Sequence, residues 1–197
     1  MLENFVIPEG HEEISKAFHT EIWNGNEYNQ YGIRVEEGDL VLDCGANIGL
    51  FTDYALFNGA RRVIAFEADG TMFNVHKENF KNKMNVALTL GRVGNGDGEY
   101  SLRRIFDESL LSNFDFAKID IEGSEYQLLL NTPDIILQRI NKWAIEFHLW
   151  GYWQNSGTEM KMLLQIIEKF NEAGFNTYLK HIHKDLNLIM FYAKKKN

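Results

Sequence analysis

The sequence is short of the residues that build special scaffolds. One cysteine, Cys44, occurs in 197 residues, which excludes an intramolecular disulfide framework and a multi-cysteine zinc site. Two prolines occur, Pro8 and Pro133, and no Pro-rich linker, low-complexity tract or internal repeat divides the chain. No apolar run approaches the roughly 20 residues of a membrane-spanning helix. The opening Met-Leu-Glu-Asn lacks the basic-then-apolar pattern of a secretion signal. Positive charge is also scarce: 20 Lys and Arg against 28 Asp and Glu leave a formal net charge of −8. Proteins that live on phosphate contacts are more often basic, so nucleic acid is demoted as a partner. These absences point to a soluble, cytoplasmic chain with no membrane association. What is present is core-forming material, with 45% hydrophobic and 13% aromatic residues. That is ample for one domain and too much for a disordered chain.

Residues 1–37 are polar and mixed, with a short helix expected over Glu12–Ile22. They read either as a cap on the edge of the domain or as a flap over a ligand, with the domain proper at 38–197. From Asp39 the punctuation becomes regular. Leu40–Cys44 is a short apolar run ending in Gly45-Ala46-Asn47-Ile48-Gly49, as a buried strand does. A helix is expected over Leu50–Phe57, stopping at Asn58-Gly59. A second strand follows over Arg62–Glu67, then a helix capped by Asp69 and running to about Phe80. Asn85–Leu90 is a third strand, and Gly91–Gly98 is turn-like. Phe116–Ile121 and Trp143–His148 read as the fourth and fifth strands, with a helix starting near Ser124. Ser156 and Glu159 resemble a capping box ahead of an apolar-periodic helix closed by Gly174. Phe175–His181 and Leu188–Lys194 are the last two strands, linked by a few residues that include Lys184-Asp185. Strand–helix alternation implies a parallel α/β sheet. The short final link is below the dozen residues of a parallel crossover, so one strand near the C-terminus is antiparallel.

In such sheets ligands sit outside the carboxyl ends of the strands. Asp43, Gly45, Asn47, Gly49, Glu67, Asp120 to Gly123 and Glu146 to His148 all fall there. Gly45 suits a tight turn and close backbone approach to a ligand. Asn47 tolerates left-handed dihedrals, and Gly49 lets the helix pack against the first strand. Asp43 reads as orienting the loop or as accepting from a ligand amine. Glu67 ends the second strand 24 residues after Asp43, where a carboxylate accepts both hydroxyls of a ribose. The nucleoside reads as NAD or S-adenosylmethionine. NAD wants Gly-x-Gly-x-x-Gly for its diphosphate, and Asn47 breaks that pattern. S-adenosylmethionine has no diphosphate and no such requirement.

Three segments resemble the FkbM family of S-adenosylmethionine-dependent methyltransferases. They are Gly38 to Gly49 (GDLVLDCGANIG), Val63 to Asp69 (VIAFEAD) and Phe116 to Glu125 (FAKIDIEGSE), and Ile145-Glu146-Phe147-His148 is similar to the strand that follows. The resemblance implies a Rossmann-like, seven-stranded class I methyltransferase fold. It also implies O-methylation of a hydroxyl on a sugar, glycan or small metabolite, with S-adenosylmethionine as cofactor. On the same analogy Asp43, Gly45, Ala46, Asn47, Gly49, Glu67 and Ala68 form the cofactor site. Ala68 stands where the family usually has proline, and the link at about Gly91–Asp115 is short for the family.

A hydroxyl acceptor gains from a base that removes its proton, and the candidates are Asp120, Glu122 and His148. Histidine titrates near neutrality and suits the task. Asp120 also reads as orienting the loop or cofactor, and Glu122 as capping the next helix. The three residues are hard or borderline ligands that can converge on a metal, though their spacing assigns none. Lys118 reads as pairing with a neighbouring carboxylate and Cys44 as packing beside the loop. Trp150, Tyr152 and Trp153 read as stacking on a flat face of a ligand or packing on the core edge. No Asn/Asp-Pro-Pro-aromatic string follows the fourth strand, which argues against DNA amino-methylation. The alternatives are a non-catalytic nucleoside-binding regulatory module and an NAD-dependent oxidoreductase.

Overall fold

A computed structural model describes residues 2–149, 158–183 and 188–196. The expected capping residue Ser156, the aromatics Trp150, Tyr152 and Trp153, and the Lys184-Asp185 link lie outside these residues.

Seven strands are described: β1 Leu40–Cys44, β2 Arg62–Glu67, β3 Val86–Leu90, β4 Phe114–Ile119, β5 Ile140–His148, β6 Phe175–His183 and β7 Leu188–Lys195. They form one sheet in the order β3-β2-β1-β4-β5-β7-β6. The β1–β2, β1–β4, β2–β3 and β4–β5 pairs are parallel, whereas β7 is antiparallel to both β5 and β6. The expected α/β class and its single antiparallel strand are therefore present.

The helices are α1 Glu12–Trp23, α2 Leu50–Phe57, α3 Gly70–Asn79, α4 Leu102–Ser109, α5 Glu125–Asn131, α6 Asp134–Leu137 and α7 Thr158–Glu172. Asp69 caps α3, its carboxylate accepting from Thr71 N and Met72 N at 2.8 and 2.9 Å. Helix α4 was not legible in the Gly91–Asp115 link. Ser101 caps it, accepting from Arg104 N at 3.2 Å, and Leu102, Ile105 and Phe106 bury one face. Eight residues rich in charge leave too short a stripe to stand out as periodic. Strand β4 starts and ends two residues before its expected limits, so Asp120 and Ile121 lie beyond it.

The pleat explains how the core is divided. Leu40, Leu42 and Cys44 face a cluster with Ile119, Trp143, Leu128 and Phe170. Val41 faces the other cluster, with Val63, Phe116, Phe51 and Tyr54. Residues 2–37 are not a detached appendage: Ile22, Tyr28, Ile33 and Val35 are buried in that second cluster. The Tyr192 hydroxyl of β7 donates to the Glu27 carbonyl at 2.7 Å. This pins the segment after α1 over the carboxyl ends of the central strands.

Candidate active site

A cavity of about 380 Å³ opens outside the carboxyl ends of β1, β2, β4 and β5, where an open α/β sheet binds its ligand. Of the residues expected at a cofactor site, Gly45, Ala46, Asn47, Glu67 and Ala68 line it.

Asp43 and Gly49 stand behind the wall. Asp43 is fully buried and accepts from the Thr52 hydroxyl at 2.7 Å. Lys118 Nζ lies 3.6 Å from Asp43 and 3.2 Å from Asp120, and also donates to the Gly45 carbonyl. Burial works against the Lys118 charge, but Asp120 and Asp43 outweigh it and raise its pKa. The expected pairing of Lys118 with a carboxylate is present, and it welds the β1 loop to the end of β4.

Gly45 has φ +78°, and a Cβ there would stand 1.7 Å from the Asp120 carbonyl oxygen. Glycine is thus demanded by the approach of the β4 end. Gly49 has φ +97°, and a Cβ there would meet Phe80 and His76. It therefore makes room for α3 and the residue capping its end, where the sequence suggested packing against β1. Asn47 adopts φ 49°, and its side-chain oxygen accepts from Ile48 N at 2.7 Å.

Glu67, only 9% exposed, ties this loop to the end of β2. One carboxylate oxygen accepts from Asn47 N at 2.6 Å and the other from Asp69 N at 2.7 Å. Each oxygen keeps acceptor capacity for a further donor. The carboxylate is thereby fixed in place with its remaining lone pairs at the cavity wall.

The three candidate bases converge. His148 Nε2 lies 3.4 Å from Glu122, 3.7 Å from Glu146 and 3.9 Å from Asp120, and all three carboxylates line the cavity. On the other side of the ring, Nδ1–H donates to Glu125 at 3.2 Å. The same Glu125 oxygen accepts from Ile121 N and Gly123 N at 3.0 and 3.1 Å. Glu125 was quoted in the third motif without a role; the structure makes it the group that fixes the His148 ring. Burial pulls His148 down, but the bond to Glu125 with the charges of Asp120 and Glu146 outweighs it and lifts its pKa to about 9. Glu122 sits in the left-handed region at φ 55°, and its side chain is 71% exposed.

Asp120, Glu146 and His148 each offer a ligand atom, all within 4.8 Å of one another. The group suits a hard or borderline cation in chemistry, but Lys118 already supplies Asp120 with positive charge. Two wall residues come from the segment read as a cap or a flap over a ligand, though neither is a candidate site residue in the sequence. Glu27 and Tyr28, from the segment after α1, are 7% and 3% exposed and line the cavity. They follow no periodic pattern, and only the tertiary fold brings them there.

The model of the methyltransferase FkbM domain matches residues 98–177. No curated protein matches the chain. Among solved structures, Aeropyrum pernix fibrillarin, in complex with natively bound S-adenosyl-L-methionine, is 13% identical with a TM-score of 0.59, over 90% of this chain and 74% of that one. Precorrin-6y C5,15-methyltransferase from Geobacter metallireducens is 14% identical at 0.56, over 99% and 95%. TrmK of M. capricolum, in complex with S-adenosyl-homocysteine, is 15% identical at 0.59, over 89% and 68%. At such identities the likeness is one of fold. The matched segment takes in the third motif, Phe116 to Glu125, and the strand bearing His148, and the seven-stranded sheet has the class I methyltransferase fold of these solved structures.

Proposed function

We propose that the chain is an S-adenosylmethionine-dependent O-methyltransferase acting on a hydroxyl of a sugar, glycan or small metabolite. The observation that carries this reading is the His148 ring, held by Glu125 behind it and facing the cavity carboxylates in front. S-adenosylmethionine, when bound, supplies a methyl group already activated on a sulfonium. The protein's own task is then alignment and removal of one proton.

The residues present fit that cofactor. Glu67 would accept the ribose hydroxyls with the lone pairs its two backbone contacts leave over. The backbone of Gly45, Ala46 and Asn47, with Ala68, would form the rest of the cradle. Asp43 and Gly49 would shape it from behind. An acidic wall also suits a cationic sulfonium and opposes a phosphate-bearing polymer.

His148 would take the acceptor proton on Nε2. Glu125 holds Nδ1 protonated and so leaves Nε2 as the basic atom. Glu122, 3.4 Å from Nε2, stands within reach of that proton, and Asp120, at 3.9 Å, adds negative charge beside it. The test is mass-spectrometric detection of S-adenosylhomocysteine and methylated product against a panel of hydroxyl compounds. Formation of a methyl ether that depends on His148 is the expected result. Methyl transfer to nitrogen alone, or undiminished transfer by His148→Ala, would overturn the assignment.

A further inference from the structure

Glu27 is an unusual carboxylate. It is 7% exposed, yet among the described residues its side chain has no hydrogen bond or ion pair. It lines the same cavity as Asp120 and Glu146. A buried charge without a partner is costly, and at Glu27 the charges of Lys180 and Lys118 relieve that cost only in part. Burial, then Glu21 and Asp120, push Glu27 up to about 7. Burial, then Asp120 and Glu27, push Glu146 up to about 9. Glu146 thus senses the Glu27 carboxylate across the wall. The cations that oppose them are committed elsewhere or distant: His148, 3.7 Å from Glu146, is held by Glu125, and Lys118 is held by Asp43, Asp120 and the Gly45 carbonyl. Arg92 reaches Glu99, 3.1 Å away, with most of its side chain in solvent. Lys180 acts on Glu27 through charge alone.

We propose that Glu27 and Glu146 form a subsite for a protonated amine carried by the methyl acceptor, so that the substrate class is amino-bearing hydroxyl compounds, amino sugars among them. This rests on the methyltransferase reading above. An ammonium group brings hydrogen-bond donors to Glu27, which has none among the described residues, and adds a donor beside Glu146, which His148 Nε2 approaches only to 3.7 Å. A divalent ion fits the observations less well. At Asp120, Glu146 and His148 it would sit beside the Lys118 ammonium, 3.2 Å from Asp120, and would still leave Glu27 without a partner. Tyr28, on the same wall, offers an aromatic surface that also favours a cation.

The test uses the full chain saturated with S-adenosylhomocysteine and paired probes that differ by one amine. The pairs are glucosamine against glucose and ethanolamine against ethylene glycol, with binding read by ligand-observed NMR titration. The amine of at least one pair is expected to bind about tenfold more tightly, the scale of one charge-assisted hydrogen bond. Glu27→Gln and Glu146→Gln are each expected to reduce that preference and together to abolish it, with S-adenosylhomocysteine affinity unchanged. No amine preference in either pair overturns the subsite, as does a preference that survives the double substitution. A tenfold loss of S-adenosylhomocysteine affinity in either variant overturns it by assigning the carboxylates to the cofactor. Stabilisation by magnesium chloride that the amines do not share overturns it in favour of a metal. Failure of the folded protein to bind S-adenosylhomocysteine at all would instead overturn the underlying methyltransferase reading.

Discussion

Glu125 Oε1 lies 3.2 Å from His148 Nδ1 and is itself held by the backbone N–H groups of Ile121 and Gly123. The loop after β4 thereby orients a histidine at the end of β5. The carboxylate belongs to a motif of local sequence, and its partner arrives 23 residues later. That relationship decides which ring nitrogen of His148 is left as the basic one.

Glu125→Gln is expected to lower kcat while leaving the affinity for S-adenosylhomocysteine within about twofold, since the effect is on proton transfer. A loss of about 10- to 100-fold is the scale for a partner of a general base. Steady-state kinetics with calorimetry on the same preparation separates this from misfolding, which would lower both.

The pH profile carries a signed expectation. A base acts when deprotonated, and His148 has its pKa raised to about 9. The rate at subsaturating acceptor should therefore rise with pH through about 9 and level off above it. Removing the Glu125 charge removes stabilisation of the imidazolium, so in Glu125→Gln the rising limb should move to lower pH. A profile flat from pH 6 to 9, the range spanning free and bound histidine values, would exclude His148 as the base.

Glu67→Ala removes a carboxylate that both ties Asn47 to β2 and faces the cavity. Cofactor affinity is expected to fall by about 1–3 kcal/mol, the scale of a lost buried polar partner. Isothermal calorimetry checks this directly, and an unchanged affinity would remove Glu67 from the site.

Gly45→Ala places a methyl carbon 1.7 Å from the Asp120 carbonyl oxygen at a φ of +78°. Both the clash and the left-handed backbone count against it. Destabilisation of about 3 kcal/mol or more is expected from the urea midpoint. The change would also displace Asp120, so any folded protein should show reduced turnover.

His76 is buried beside Asn47, with Nδ1–H donating to the Asn47 carbonyl at 3.2 Å. Burial depresses its pKa to about 4. The unfolded chain binds this proton near 6.5 and the folded chain does not, so the contribution is present above 6.5. It is lost as pH falls from 6.5 toward 4, with a slope of at most ~1.4 kcal/mol per pH unit. In His76→Gln the acid limb of the stability curve should be shallower over that window, by denaturant titration at several pH values.

The α/β class was legible because glycine turns bound short apolar runs from Leu40 onward, and the antiparallel strand because the residues between His181 and Leu188 are too few for a crossover. Loop residues such as Gly45, Asn47 and Glu67 were legible because they sit at strand ends in local sequence. Helix α4 was hidden by its length and charge. The position of Glu27 was hidden for a different reason. Nothing in its neighbours signals burial, and it reaches the cavity through tertiary packing, with Tyr192 of β7 holding its carbonyl and Ile22, Tyr28 and Ile33 in the core. The role of Glu125 was hidden likewise, since it depends on β5 lying next to β4 in the sheet. Long-range pairings of this kind leave no local pattern to read.

The central claim is that the cavity at the β1, β2 and β4 ends binds S-adenosylmethionine through the Gly45–Asn47 loop and Glu67. Calorimetric titration of the folded chain with S-adenosylmethionine tests it most directly. Saturable binding at one site per chain, weakened in Glu67→Ala and preserved in Glu125→Gln, is the result expected. Absence of any binding heat or competition by a protein that retains its cooperative thermal transition would contradict the account.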